Sequence, residues 1–146
     1  MKKLLETTVT ALATPLTHGA KQPLYAASPQ AGFPSLGDDL VEATLNIHDL
    51  VVKHPASTFF VRVEGDSMVG AGIYSGDVLV VDRSVEATHG RIVVAVVDGG
   101  MVVKRIRASA DGVMLMSENS AYEPISLNPE ADCYVWGVVV GSVRQF

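Results

Sequence analysis

The sequence predicts a mainly β fold: a small, strongly curved barrel-like or sandwich-like domain with short helical pieces, preceded by an extended arm. Three observations carry that prediction. Apolar runs of strand length recur at close spacing between Phe59 and Val143, which is the pattern of barrels and sandwiches. Turn formers such as Gly65-Asp66 and Asp98-Gly99-Gly100 separate the runs. Before them, Pro15, Pro23, Pro29 and Pro34 punctuate residues 1–38, and each proline removes a backbone donor and breaks a helix. We therefore expect an arm at residues 1–38 and one domain at residues 39–146.

Within the domain, Val41, Leu45, Leu50 and Val51 could line one side of a short helix, with Asp38 or Asn46 as cap and His54-Pro55 as its end. Phe59 to Glu64 alternates, with Phe59, Val61 and Val63 on one face and Phe60, Arg62 and Glu64 on the other. Val78-Leu79-Val80-Val81 and Ile92 to Val97 are continuous apolar runs, the mark of strands buried on both faces. Asp98-Gly99-Gly100 signals a hairpin that returns through Met101 to Ile106. Val113 to Met116 and Tyr134 to Val143 supply two further strands.

The chain has 146 residues, 48% of them apolar, enough for one domain with a real core. Its formal net charge of −5 argues against direct duplex DNA binding, which needs a concentrated basic surface. It leaves protein partners open. The lone cysteine, Cys133, lies in the apolar run Cys133-Tyr134-Val135-Trp136 and reads as a small buried hydrophobe. A single thiol suits a reducing compartment. Glu6 and three threonines interrupt what would be the apolar core of a leader peptide. No run of about 18 apolar residues is present, so we expect a cytoplasmic protein with no membrane contact.

Two residues have the chemistry of a catalyst. Lys104 shares a strand face with Val102 and Ile106, and Arg105 shares the other with Met101 and Val103. The partner strand Ile92–Val97 is apolar on both faces, so one of these two basic residues points toward apolar surroundings. Burial favours the neutral amine, and a neutral lysine can act as a general base. On pattern alone a surface lysine that snorkels is the simpler reading. Ser67 follows a strand end and the turn Gly65-Asp66, where neighbouring N–H groups can form an oxyanion hole. A turn serine is again the simpler reading. A serine becomes a useful nucleophile only beside a base, and lysine can fill that role without histidine.

His18, His48, His54 and His89 are scattered. A Ser–His–Asp triad could be drawn from them, but nothing in their spacing supports one. The same scatter points to no metal site. The sequence holds no phosphate loop, dinucleotide fingerprint or zinc signature, and we expect no cofactor.

Taken together, the blocks resemble a known family. Phe60-Val61-Arg62-Val63-Glu64-Gly65-Asp66-Ser67-Met68 resembles the nucleophile motif of the LexA/UmuD self-cleaving proteases. Ile73 to Asp82, His89-Gly90-Arg91-Ile92-Val93 and Val102-Val103-Lys104-Arg105 resemble the blocks that follow it, with the lysine in place. Asn119-Ser120-Ala121-Tyr122-Glu123-Pro124-Ile125 and Val135-Trp136-Gly137-Val138-Val139 resemble the C-terminal blocks. Upstream, Ala31-Gly32-Phe33-Pro34-Ser35 resembles the cleavage region of the UmuD branch. Residues 1–31 leave no room for the helix-turn-helix domain of the LexA-type repressors, which makes the UmuD branch the nearer one.

The resemblance implies that Ser67 is the nucleophile and Lys104 its base, that the N–H groups of Asp66 and Ser67 hold the oxyanion, and that the arm is cut between Ala31 and Gly32. It further implies a homodimer, cleavage promoted by a RecA–single-stranded DNA filament after DNA damage, and assembly with a UmuC-like Y-family DNA polymerase for error-prone translesion synthesis. Two rivals share the fold without this use: a non-catalytic β-rich binding module, and a regulator that blocks a LexA-like repressor.

Overall fold

Strand-length apolar runs become strands throughout the computed structural model, which describes residues 5–15, 19, 21–25 and 41–146. Three strands come early: β1 (Thr8–Ala13), β2 (Gln22–Tyr25) and β3 (Val41–Leu45). A one-turn helix, α1 (Ile47–Val51), leads to β4 (Thr58–Glu64) and β5 (Val78–Asp82). Then follow β6 (Ile92–Val97), β7 (Gly100–Ser109), β8 (Gly112–Met116), β9 (Ile125–Ser126) and β10 (Cys133–Val143). The β6–β7 hairpin turns at Asp98 and Gly99, whose φ values of 50° and 80° are the pair that a two-residue type I′ turn requires.

The main sheet runs β1-β4-β5-β10-β6-β7-β8-β9, and a further pairing of β1 with β7 closes its first six strands into a barrel. Neighbouring strands of this sheet pair antiparallel. Register shifts in β1 at Val9/Ala11 and in β10 at Val135/Gly137 and Val139/Gly141 mark bulges, which bend strands enough for a small barrel to close. At one of them a side chain has no room: a Cβ on Gly137 would lie 2.6 Å from Val81 Cγ1.

All six staves contribute to one core: Val9, Val61 and Val63, Leu79 and Val81, Val94, Val103, and Val139. A second core joins Val93, Ala95, Ile106, Leu115, Cys133 and Val138. β6 thus sends Val94 to one core and Val93 and Ala95 to the other, which explains its unbroken apolar run. Cys133 is buried, as its apolar neighbours suggested.

The expected helix over Val41–Val51 is only half present. Val41 to Leu45 pairs with Gln22 to Tyr25 in a separate two-stranded sheet, and helix begins only at Ile47. The apolar spacing of Val41 and Leu45 fits either structure, and pairing with β2 decides it. Asn46 caps the helix as expected, accepting from the His48 N–H at 2.9 Å. The other candidate cap, Asp38, lies outside the described residues. Among the described residues no helix is long and apolar enough to cross a membrane.

Candidate functional site

β4 ends at Glu64, and the chain then turns through Gly65 and Asp66 into Ser67 and Met68. Met68 is wholly buried in the barrel core and anchors this turn from within. From outside, the Tyr122 hydroxyl donates to Asp66 Oδ1 at 2.6 Å and the Asn119 amide donates to the Asp66 carbonyl at 3.1 Å. Burial first, then the Asp66 hydrogen bond and nearby negative charge, push the Tyr122 hydroxyl up to about 12. The Asn119–Ile125 segment therefore works as a brace on the serine-bearing turn. Ser67 itself is fully buried.

Lys104 lies on β7, on the same face as Val102 and Ile106, and is 1% exposed. Of the two adjacent basic residues, it is the one that faces inward. Arg105 is half-buried and pairs with Glu118 on the opposite side. The surroundings of Lys104 are polar where the sequence suggested apolar. Its Nζ donates to Ser117 Oγ at 2.6 Å and to Glu6 Oε2 at 2.9 Å, and it lies 5.7 Å from the centre of the Tyr122 ring. Ser117 is there because β7 pairs with β8: Arg105 stands opposite Met116, so the next residue pair along is Lys104 with Ser117.

Glu6 is the residue the sequence did not flag. Its Oε1 accepts from Ser67 Oγ at 2.7 Å while its Oε2 accepts from Lys104. One carboxylate from the N-terminal segment thus joins Ser67 to Lys104. Backbone bonds hold that segment on both sides: the Asp66 N–H donates to the Leu5 carbonyl at 2.7 Å, and the Val103 N–H donates to the Thr7 carbonyl at 3.0 Å. The Thr7 N–H donates to Ser67 Oγ at 3.0 Å. Of the residues singled out from sequence, Asp66, Ser67 and Lys104 meet at this point. Ala31 and Gly32 lie outside the described residues, in the stretch that joins β2 to β3.

A buried serine, a buried lysine and an N–H that already holds a carbonyl oxygen are the parts that acyl transfer to a serine needs. The histidines assemble differently. His54 Nδ1 lies 2.5 Å from Asp82 Oδ2, and Ser57 Oγ donates to Asp82 Oδ1 at 2.9 Å. Here serine and histidine both bind the aspartate, whereas a catalytic triad needs the histidine between them. Among the described residues, no group of three His, Cys, Asp or Glu side chains is arranged to hold a metal ion.

Residues 23–140 match the family described as Peptidase S24-like. Protein ImpA of Salmonella typhimurium is 43% identical over 109 residues, covering 75% of this chain and 70% of ImpA. Protein MucA of Escherichia coli is 40% identical over 124 residues, 84% of each chain. Protein SamA of Salmonella typhimurium is 38% identical over 123 residues, 84% of this chain and 85% of SamA. The chain belongs to the peptidase S24-like family, among its UmuD-like members.

Proposed function

We propose that this protein is a self-cleaving serine peptidase of the SOS DNA-damage response, with Ser67 as nucleophile, Lys104 as general base and Ala31–Gly32 as the bond it cuts. One observation supports the reading above the others: Ser67 and Lys104, both buried and far apart in sequence, converge on the same carboxylate. Buried polar groups need partners, and here the shared partner belongs to a separate N-terminal segment, whose withdrawal would leave serine and lysine facing each other.

In the productive geometry Ser67 Oγ gives its proton to Lys104 Nζ and bonds to the Ala31 carbonyl carbon. The N–H groups of Asp66 and Ser67 hold the resulting oxyanion. The bond to the Gly32 nitrogen breaks, and that amine leaves with the proton from Lys104. Water then attacks the ester, Lys104 takes its proton, and Ser67 is regenerated. Ser117 orients the lysine amine throughout. The arm, residues 1–38, supplies the cut bond, and residues 39–146 supply the protease domain.

By likeness to its family, cleavage is promoted by a RecA–single-stranded DNA filament. The trimmed cytoplasmic homodimer then serves a UmuC-like Y-family polymerase in error-prone translesion synthesis. The net charge of −5 suits protein partners better than direct DNA contact. Self-cleavage without filament should accelerate steadily toward alkaline pH, because only an unprotonated lysine can accept the serine proton. A flat rate from pH 7 to pH 10, measured by fragment mass, would remove Lys104 as base.

A second reading draws on one contact. The Ser67 hydroxyl has a single proton, and it is directed to Glu6. A chain that kept this arrangement permanently would be a non-catalytic module on a protease fold, and it would stay whole with activated filament.

A further inference from the structure

β1 is a barrel stave drawn from the arm, upstream of the bond proposed to be cut. It fills the slot between β4 and β7: Thr8 stands opposite Glu64 on one side and Val102 on the other. Residues 5–7 continue that strand over the serine turn. Their seat is close-fitting, since a Cβ on Gly65 would lie 2.3 Å from the Glu6 carbonyl oxygen. Thr7 is fully buried there. We infer that the slot between β4 and β7 is a binding site for an extended peptide bearing a carboxylate side chain, and that residues 5–13 occupy it as a built-in inhibitor of Ser67 and Lys104. The inhibitory half rests on the catalytic reading of that pair.

Three features make the segment an inhibitor and not a substrate. The Ser67 proton is committed to Glu6, so Lys104 has none to take. Ser67 Oγ accepts from the Thr7 N–H and so meets the Glu6–Thr7 peptide from its N–H edge, whereas attack on a carbonyl carbon comes across the face of the amide plane. Lys104 Nζ is tied by the Glu6 carboxylate as an ion pair. The same contacts exclude the Ala31–Gly32 segment. The Asp66 N–H proposed to hold the Ala31 oxyanion already holds the Leu5 carbonyl. Withdrawal of residues 5–7 must therefore precede cleavage, which gives an outside trigger something to do.

The test uses the full chain, wild type beside Glu6→Ala and Glu6→Gln. Hydrogen exchange at the Asp66 and Val103 amides reports occupancy of the slot, whether or not the chain cuts itself. In the wild type both amides are protected. In Glu6→Ala both exchange about tenfold faster and filament-free self-cleavage rises about tenfold, the value of one lost charge-assisted hydrogen bond. Glu6→Gln falls between. Excess peptide with the sequence of residues 5–13 restores protection and slows cleavage in Glu6→Ala, which also shows that the variant is folded. Unchanged exchange in Glu6→Ala would overturn the inference. Faster exchange with an unchanged cleavage rate would overturn its inhibitory half. Faster exchange with no cleavage in any variant would support the slot and overturn the catalytic reading instead.

Discussion

Ser67 and Ser57 each donate to a carboxylate that also pairs with a basic side chain, Glu6 with Lys104 and Asp82 with His54. The ingredients match, and the architectures do not. Asp82 sits at the end of β5 and collects donors from within the domain: Ser57 and His54 just before β4, and both the N–H and hydroxyl of Ser84 two residues on. Burial pushes its carboxyl up, but the hydrogen bonds from Ser84, His54 and Ser57 outweigh burial and hold it down at about 2. His54 remains largely exposed. This cluster closes the turn between α1 and β4 onto the end of β5. Glu6 instead comes 61 residues before its serine, on a strand seated in a slot. The turn that carries Ser67 keeps other supports besides this segment, since Met68 anchors it in the core and Asn119 and Tyr122 bond to Asp66. A serine–carboxylate–base trio is thus no sign of catalysis by itself. What distinguishes the two is whether the carboxylate can be withdrawn to leave serine and base facing each other.

Removing each serine in turn separates the two clusters by the largest effect. Ser67→Ala should lower self-cleavage by roughly a thousandfold or more, as loss of a nucleophile does, while Ser57→Ala should keep the rate within about twofold. Equal losses in a fragment-mass time course would mean that the two clusters had been told apart wrongly.

Next in size is stability. Asp82→Ala leaves three donating side chains without their acceptor and should cost about 3 kcal/mol in denaturant unfolding, with little change in the cleavage rate of the folded chain. The pH dependence follows from the sign of its shift. A carboxyl held below its ordinary 3.8 stabilises the fold above that value, and the gain is lost as pH falls toward about 2. Asp82→Ala should therefore flatten the acid limb of the stability curve; an unaltered limb would assign acid unfolding to other groups. Asp77, held down by the hydrogen bond from Arg144 against burial, works in the same direction. Tyr122 has the opposite window: raised to about 12, it stabilises below its ordinary 10.0 and loses that effect only as pH rises through the higher value. An alkaline cleavage series up to pH 10 is thus free of its ionisation.

The smallest effect falls on a positioning residue. Ser117→Ala should slow self-cleavage about tenfold by freeing the lysine amine to rotate, and Ser117→Thr should recover most of it. A loss of unfolding stability without any loss of rate would make Ser117 merely structural.

The barrel staves from β4 onward were legible because their apolar runs end at turn residues, while strand alternation said only that one of Lys104 and Arg105 faces inward and the structure decides for Lys104. That Ser67 and Lys104 would lie at one site was legible only through the flanking motif blocks, since a turn serine and a strand lysine are each unremarkable alone. What stayed hidden depends on distant pairing. The β1 sequence Thr8-Val9-Thr10-Ala11-Leu12-Ala13 has little apolar contrast, and it becomes a strand because β4 and β7 leave a slot for it. Glu6 read only as a defect in a leader peptide. Ser117 could have been found by carrying the β7–β8 register one pair past Arg105 and Met116.

Self-cleavage at one bond is tested most directly by the intact mass of the purified chain after incubation with activated RecA–single-stranded DNA filament, wild type beside Ser67→Ala. The wild type should yield fragments 1–31 and 32–146, and the variant should stay whole. A wild-type chain that remains intact, or a Ser67→Ala chain cut between Ala31 and Gly32, would contradict it.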